Sequence, residues 1–321
     1  MPSSNTFIGI DLGGTNMQFA VINSDRKILA RAKRKTKADE DQNAVLGRLA
    51  EGALEACAEA RIALKDIAAV GIGAPGAIEP DEGTVLEAVN LHWNNVPLAR
   101  LLGDRLGLPV TVDNDVNCAI VGEHRMGAGR GAKDLLGVWM GTGVGGGFIL
   151  NDRLYHGHFH SAGEIGHMIA MPGNQPGTRS IEHNCSRTAV VERIVRLIKG
   201  NRKSVITDLV GGDLDEIKSK VIAEAYRKED PLTLEVVNES ATLLGTCIAG
   251  VITLLSLERI VLGGGLTEAL GQPYVKMVRE SVRKFVFPGS LAKKVDVVAT
   301  ELADDAGPMG AALLAMDRLT K

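Results

Sequence analysis

The sequence is poor in aromatic residues, and it has no marked excess of either charge. Aromatic residues make up 3% of its 321 positions, and the formal net charge is −3. This balance gives no reason to expect nucleic acid or an anionic membrane as a partner. The basic cluster from Arg31 to Lys37 has no aromatic residues interleaved, so it is interpreted as the solvated end of a strand.

Cysteine is also scarce, and its spacing is informative. The chain holds four cysteines, none of them in a Cys-x-x-Cys pair: Cys57, Cys118, Cys185 and Cys247. Such spacing favours free thiols in a reducing compartment over a disulfide framework. We therefore expect a cytoplasmic protein.

Apolar segments of the kind that enter membranes are missing as well. Residues Met1–Thr6 are polar and lack the apolar core of a signal peptide. The most apolar stretch, Leu243–Leu257, is shorter than the ~20 residues that span a bilayer, and it contains Gly, Thr, Cys and Ser. It is predicted to be a buried helix, and no membrane partner is expected.

Glycine is abundant, and one glycine-rich hairpin occurs twice. Residues 8–23 and 136–151 each read as an apolar strand, a turn of Gly and Thr, and a second apolar strand. A shift of 128 positions places Gly9 on Gly137 and Gly13 on Gly141. Turns of this kind leave backbone N–H groups pointing outward, where an anion can bind. Two copies predict a phosphate chain held between two related domains.

The order of predicted elements also repeats. A strand meander is followed by helix, strand, helix, strand and helix, and the same order occurs a second time along the chain. The repetition predicts an α/β fold of duplicated domains with mixed sheets flanked by helices. We expect an N-terminal domain of residues 1–113 plus 307–321 and a larger C-terminal domain of residues 114–306. The active-site cleft is expected between them, facing both glycine turns.

The two turns differ in chemistry. Asp11 ends the first strand, where its carboxylate is placed to hold Mg²⁺ through a water molecule. A plain β-hairpin turn is the alternative interpretation. The second turn has five glycines in the seven residues Gly141–Gly147, and such a loss of strand stability indicates a binding role. It is not a P-loop, because no Gly-Lys-Ser/Thr comes after it.

Two further segments carry polar side chains suited to a hydroxylated substrate. Asp115 is ionised at neutral pH and could accept a proton from a substrate hydroxyl, while Asn114 hydrogen-bonds a neighbouring one. Helix capping is the alternative for this pair. Glu164 and His167 share a face if their segment is helical, and both could bind vicinal hydroxyls. A surface pair is the alternative there.

Together these segments resemble the ROK family (repressors, open reading frames and sugar kinases), within the actin-like ATPase superfamily. The resemblance covers nearly the whole chain and implies two ribonuclease-H-like domains. It rests on seven blocks in the family's order: Asp11–Thr15, Gly73–Gly76, Asn90-Leu91 with Trp93, Asn114-Asp115 with Asn117, Gly141–Gly147, Glu164–His167 and Gly263–Gly265.

The resemblance also implies roles for individual residues. Asp115 would be the catalytic base. The residues placed at the ATP phosphates are Gly13, Gly14, Thr15, Gly141, Thr142 and Gly143, with Gly264 and Gly265 near the nucleoside. The residues placed at the sugar are Gly76, Asn90, Asn114, Glu164 and His167.

The chain departs from the family at one point. ROK kinases usually follow the histidine with a Cys-x-Cys-Gly-x-x-Gly-Cys run that binds a structural zinc, and then a Leu-Glu whose carboxylate reaches the sugar. Here Ile181-Glu182 matches Leu-Glu, while Gly173, Gln175 and Ser180 stand at the cysteine positions. No structural zinc is expected. Glu182 is still expected to bind the sugar, from a loop held by other packing.

Histidine offers an alternative metal site. Five of the seven histidines fall within 28 residues: His156, His158, His160, His167 and His183. The first three alternate, which on a strand would place them on one face. A polar loop is the preferred interpretation, and a histidine-based metal site is the alternative.

The whole reading predicts an ATP- and Mg²⁺-dependent hexokinase that phosphorylates glucose at O6. Other hexoses, N-acetylglucosamine and N-acetylmannosamine stay open as substrates, as does polyphosphate as the donor. A sugar-sensing repressor is disfavoured because only six residues precede Phe7. A catalytically silent sugar-binding protein is a further alternative. The family resemblance implies a homodimer.

Overall fold

A computed structural model describes residues 6–320 and divides the chain into two compact units. Unit 1 comprises the described residues up to Gly131, the segment Leu154–Ala162, and the residues from Asp304 onward. Unit 2 comprises Ala132–Arg153 and Gly163–Ala303. The sequence predicts a domain boundary at residue 113, whereas this division by contacts keeps the residues up to Gly131 with unit 1, because the helix Asp115–Met126 packs on the helix Ala306–Leu319.

Unit 1 is built on a five-stranded mixed sheet. Its strands are β1 (Thr6–Leu12), β2 (Asn16–Asn23), β3 (Ile28–Lys35), β4 (Ala69–Ala74) and β8 (Val110–Asn114). They lie in the order β3-β2-β1-β4-β8, with antiparallel pairing in the meander and parallel pairing from β1 to β8. The carboxyl ends of β1, β4 and β8 therefore meet at one edge, which is where ligands bind in such sheets.

Four α-helices flank this sheet among the described residues: α1 (Gln42–Ala60), α2 (Leu98–Leu106), α3 (Asp115–Met126) and α11 (Ala306–Leu319). Helix α11 packs on β1, β4 and α3. A Cβ atom on Gly9 would overlap the Pro308 carbonyl, and one on Gly71 would overlap that of Ala311. Glycine in these strands thus permits a close approach of the last helix.

A small three-stranded sheet in unit 1 was not predicted. It consists of β5 (Ala77–Glu79), β6 (Thr84–Ala88) and β7 (Trp93–Val96), paired in that order. Its buried residues include Ile78, Val85 and Trp93. These strands have three to five residues each, which is too short for a clear alternation of apolar and polar positions.

Unit 2 repeats the sheet of unit 1. Its strands are β9 (Leu135–Met140), β10 (Val144–Leu150), β11 (Arg153–Tyr155), β12 (Arg259–Gly263) and β13 (Asp296–Ala299). Their order, β11-β10-β9-β12-β13, matches that of unit 1 strand for strand. Antiparallel pairing of β9 with β10 and parallel pairing of β12 with its neighbours match as well. The predicted duplicated α/β fold with mixed sheets is confirmed.

The helices of unit 2 are more numerous. Those described are α4 (Glu182–Cys185), α5 (Arg187–Lys199), α6 (Ile206–Leu209), α7 (Ser219–Arg227), α8 (Pro231–Leu255), α9 (Gly265–Leu270) and α10 (Gln272–Phe285). A short 3-10 helix, Leu214–Glu216, precedes α7.

Helix α8 is the longest helix of the described chain. Asp230 caps it through a hydrogen bond from the Thr233 N–H, and Pro231 occupies its first turn. By length and composition alone it could cross a membrane. More than half of its most apolar stretch is buried, and it packs against α10 within the core of unit 2. We therefore interpret α8 as the buried core helix that the sequence predicts.

Candidate active site

The first turn, Gly13–Thr15, lies between β1 and β2 of unit 1. The Gly13 N–H donates to the Asn16 carbonyl at 3.0 Å, which closes the turn. Thr36 holds it from the side: its N–H donates to the Thr15 carbonyl at 2.9 Å and its hydroxyl to the Gly13 carbonyl at 2.5 Å. Within residues 6–320, the N–H groups of Gly14 and Thr15 have no protein acceptor. They can therefore bind an anion such as a phosphate oxygen.

Asp11 stands directly before this turn, at the end of β1. Burial and the neighbouring carboxylates of Asp115 and Asp304 raise its pKa to about 7, against a small opposing effect of Lys33. A carboxylate crowded by other acids is stabilised in its ionised form by a divalent cation. The donor set around Asp11 thus fits Mg²⁺, which binds carboxylate oxygen directly or through water.

Asn114 and Asp115 form the junction between β8 and α3. The Asn114 side-chain oxygen accepts hydrogen bonds from the N–H groups of Val116 (2.9 Å) and Asn117 (3.2 Å). Asn114 is therefore the N-cap of α3, as the capping interpretation predicts. Its side-chain nitrogen donates to the Gly76 carbonyl at 3.1 Å, so two residues predicted at the sugar are in contact.

Asp115 is held at the first position of α3. One of its carboxylate oxygens, Oδ1, accepts from the Val116 N–H at 2.8 Å. The Asp115 charge acts on Asp11 and raises the Asp11 pKa, so the two carboxylates share one region of unit 1. Asn90 borders the same region, because a Cβ atom on Gly14 would lie 3.3 Å from the Cβ of Asn90.

A buried carboxylate behind this junction was missed in the sequence. Asp113 Oδ1 accepts from the Asn114 N–H (2.8 Å) and from the Asn117 side-chain nitrogen (2.9 Å). Asp113 Oδ2 lies 2.8 Å from Nε2 of His156. This hydrogen bond raises the pKa of His156 above its ordinary value, in opposition to burial. The pair spans 43 positions of sequence, so no local pattern signals it.

The alternation of histidines does not lie on a strand, because β11 ends at Tyr155. His158 stacks its edge on Phe159, and His160 has φ +54°. The His160 Nε2 lies 3.5 Å from the Glu79 carboxylate. A single histidine face, the basis of the histidine-metal alternative, is therefore wrong. His167 and His183 belong to the other unit.

The second turn, Gly141–Gly143, joins β9 to β10 in unit 2. The Gly141 N–H donates to the Gly143 carbonyl at 3.0 Å, and the Gly141 carbonyl accepts from the Arg187 N–H at 3.0 Å. The Arg187 guanidinium also donates to the Thr142 hydroxyl at 3.1 Å. A cation thus lies beside this turn, at the start of α5. Sequence reasoning missed Arg187, because 45 positions separate it from Thr142.

Glu182 packs directly against the second turn. Its carboxylate accepts from the Val144 N–H at 2.9 Å, and a Cβ atom on Gly143 would overlap it. Burial raises the pKa of Glu164; His167 opposes this rise, and repulsion by the Glu182 carboxylate adds a smaller one. His167 Nε2 lies 3.9 Å from the Glu164 carboxylate. Unit 2 thus gathers the predicted sugar residues Glu164, His167 and Glu182.

Hydrogen bonds hold the loop that leads to Glu182. The N–H groups of Ala170 and Met171 donate to the Arg179 carbonyl, and that of Ile181 donates to the Met168 carbonyl. The residues at the family's cysteine positions, Gly173, Gln175 and Ser180, offer no thiolate, so they do not fit a zinc site. The nearby Cys185 is buried and donates to the Ser240 carbonyl at 3.4 Å.

Gly264, predicted near the nucleoside, lies against the strand that leads into the second turn. Its φ is +85°, and a Cβ atom there would lie 2.6 Å from the Met140 carbonyl oxygen. Only glycine fits both constraints without strain. Gly265 begins α9 directly after it.

Comparison with known proteins fits these features. The sequence profile of the ROK family matches residues 7–318. The chain belongs to the ROK family. The predicted family resemblance and its actin-like ATPase fold are thereby confirmed.

Three similar proteins carry different functional names. A glucokinase from Thermotoga maritima is 33% identical over 97% of this chain and 98% of its own length. The structure of a ROK family glucokinase from Streptomyces griseus, in complex with glucose and AMPPNP, is 32% identical, covers 97% of this chain and 99% of its own, and has a TM-score of 0.84. A xylose repressor from Caldicellulosiruptor bescii is 28% identical over 88% of this chain and 71% of its own length.

Proposed function

We propose that this ROK protein is an ATP-dependent sugar kinase that phosphorylates glucose at O6. The observation that carries the proposal is the Asn114–Asp115 junction. It presents a carboxylate and a hydrogen-bonding amide at the edge of the sheet where β1 places the first turn and Asp11. The glucokinase relatives, 31–33% identical over nearly the whole chain, support glucose as the acceptor.

Asp115 is the general base of the proposed reaction. The O6 hydroxyl attacks the γ-phosphorus, the bond from that phosphorus to the bridging oxygen of ADP breaks, and the hydroxyl proton passes to the Asp115 carboxylate. Phosphoryl transfer depends mainly on position and charge stabilisation. A carboxylate that is ionised at neutral pH suffices to remove this proton.

In this proposal polar side chains bind the sugar. They are those of Asn114, with Gly76 and Asn90 beside it, and of Glu164, His167 and Glu182. Orientation of the ring by these groups leaves a single hydroxyl in line with the phosphate, which supplies a large part of the rate.

The phosphates are bound by the two glycine turns. The free N–H groups of Gly14 and Thr15 donate to phosphate oxygens. In the second turn the N–H groups of Thr142 and Gly143 do so, and Gly141, which has no side chain, lets the backbone approach a phosphate closely. Gly264 and Gly265 lie at the nucleoside. Asp11 would hold Mg²⁺, through water, and the ion neutralises charge on the transferring group when it is bound.

Three further expectations belong to this proposal. The enzyme is a homodimer, as the family resemblance implies. It works in the cytoplasm, without nucleic acid or membrane as a partner. A structural zinc is not required, because hydrogen bonds already hold the Glu182 loop.

A sugar-binding regulator is the second candidate. The similarity to a xylose repressor is the observation that favours it. It predicts sugar binding without phosphoryl transfer, and an assay of ADP release separates the two candidates directly.

The test is a panel of sugars with ATP and Mg²⁺, measured as kcat/KM by coupled ADP release. The panel holds glucose, fructose, mannose, N-acetylglucosamine and N-acetylmannosamine, with polyphosphate as a second donor. We expect glucose with ATP to give the highest kcat/KM, and phosphorus NMR to place the phosphate on O6. A higher kcat/KM for another sugar would overturn the glucose assignment. Absence of ADP release with every sugar would overturn the assignment as a kinase.

A further inference from the structure

We propose that His156 is a positioning residue that acts through Asp113 to fix the Asn114–Asp115 junction. The inference rests on the proposed function, since it concerns the geometry of the proposed base. The action of His156 passes through the buried carboxylate of Asp113, which directly precedes the junction in the chain.

Asp113 is the centre of this arrangement. Its side chain is 7% exposed, and one oxygen, Oδ1, receives both the Asn114 N–H and the Asn117 side-chain amide. The first group belongs to the cap of α3 and the second to its first turn. This one carboxylate therefore holds the backbone N–H that precedes Asp115 and the Asn117 side chain that follows it.

His156 sets the orientation of Asp113. The other carboxylate oxygen, Oδ2, lies 2.8 Å from the His156 Nε2. A buried carboxylate needs hydrogen-bond donors at both oxygens, so loss of the donor at Oδ2 lets the carboxylate turn. Such a turn breaks the hydrogen bonds that Oδ1 accepts from the donors of α3.

The route of the chain explains why this residue is available. His156 lies on the segment Leu154–Ala162, which begins within β11 and belongs to unit 1. Of the three alternating histidines, His156 is the one within hydrogen-bonding distance of Asp113 in the described chain. His158 is exposed and stacks on Phe159, so it provides a matched control.

The decisive variants are His156→Phe, which keeps a ring but removes the donor, and His156→Gln, whose amide nitrogen can replace Nε2. His158→Phe makes the same chemical change two positions away. We expect His156→Phe to lower kcat about tenfold or more, because small displacements of a reacting group are costly, with the KM for ATP unchanged. His156→Gln should recover most of this loss, and His158→Phe should match the wild type. A purely structural role would lower the active fraction instead, with no recovery by Gln.

Hydrogen exchange of the Val116 and Asn117 amides gives a readout that does not depend on activity. We expect faster exchange in His156→Phe than in His158→Phe, and wild-type exchange in His156→Gln. Equal kcat and equal exchange in the two Phe variants would overturn the inference. Activity retained by Asp115→Asn would instead overturn the base assignment, while amide exchange would still decide the role of His156. If the protein phosphorylates no sugar, amide hydrogen exchange alone decides the role of His156.

Discussion

Units 1 and 2 share one strand order but carry opposite chemistry at the same turn. In unit 1, Asp11 precedes the turn and lies near Asp115 and Asp304. In unit 2 the position equivalent to Asp11 is Trp139, and the cation Arg187 contacts the turn. The duplicated sheet therefore supplies two glycine turns, and the side chains around each turn decide its role: acidic in unit 1, cationic and glycine-rich in unit 2.

The units differ as well in the segment after the third strand of the meander. In unit 1, α1 leads from β3 back to β4. In unit 2, the chain between β11 and β12 contains five α-helices and the loop with Glu164, His167 and Glu182. The duplication thus accounts for the two proposed phosphate turns, while the extra segment of unit 2 carries half of the proposed sugar residues.

The largest expected effect comes from removing the base of unit 1. Asp115→Asn should lower kcat by about 100-fold or more, the usual cost of losing a general base, while the KM for glucose stays within a few-fold. Coupled ADP release measures both. Asp104→Asn, an exposed acid on α2, is the matched control and should behave as the wild type. A kcat above about a tenth of the wild-type value would contradict the assignment of Asp115.

Neutralising the acid at the first turn tests whether the two turns divide the work. Asp11→Asn replaces the acid before the first turn with a neutral side chain. We expect the Mg²⁺ concentration for half-maximal activity to rise about tenfold, because a carboxylate donor is lost. A titration of activity with Mg²⁺ at saturating ATP measures it. An unchanged Mg²⁺ requirement would mean that the acidic character of unit 1 does not serve the metal.

Adding a methyl group at the second turn tests whether this turn binds a phosphate. A Cβ atom on Gly141 meets no protein atom within 4 Å, so Gly141→Ala should fold normally. We expect it to raise the KM for ATP by about fivefold, because the backbone can no longer approach a phosphate closely. Gly173→Ala, equally unobstructed in the same unit, should leave the KM unchanged. Equal KM values in the two variants would argue against a phosphate at this turn.

The smallest effect is a change of stability with pH in the absence of Mg²⁺. Asp11 keeps its proton up to about pH 7 in the folded protein but loses it near its ordinary pKa of 3.8 when unfolded. The contribution of Asp11 to the free energy of unfolding is therefore fully present below about pH 4 and is lost as the pH rises through about 7. We expect the urea midpoint of the wild type to fall by about 0.5 M over this range relative to Asp11→Asn. Added Mg²⁺ should reduce that fall. Parallel curves for the two proteins would show that Asp11 is not destabilised by its neighbours.

The features that could be predicted from sequence are those that depend on residues close together in the chain. Alternating apolar residues and a Gly–Thr turn define each hairpin within about 16 positions, so both hairpins and the sheets built on them were predicted. The cap at Asn114 was also predicted, because Asn before a helix is a local signal. The site residues on these segments lie at the two glycine turns and at the start of α3.

The features that were missed depend on contacts between distant segments. Asp113 with His156, and Thr142 with Arg187, meet only after the sheets have formed. For the alternation of His156, His158 and His160 a polar loop is the preferred interpretation, and the alternative, a strand with one histidine face, is wrong. A period of two residues identifies a strand only when strand pairing continues through it. Here pairing ends at Tyr155, and the three histidines follow it within a segment of unit 1.

The position of α11 has a consequence for how the chain folds as it is synthesised. This helix completes the core of unit 1 against β1 and β4, yet it comes after the whole of unit 2 in chain order. During synthesis the surface over Gly9 and Gly71 therefore stays uncovered until α11 has emerged from the ribosome. Unit 2 can close first, and unit 1, with the proposed base and metal ligand, completes its core only when α11 is available. A chain interrupted before α11 would expose apolar strands, which makes it a target for chaperones and proteases.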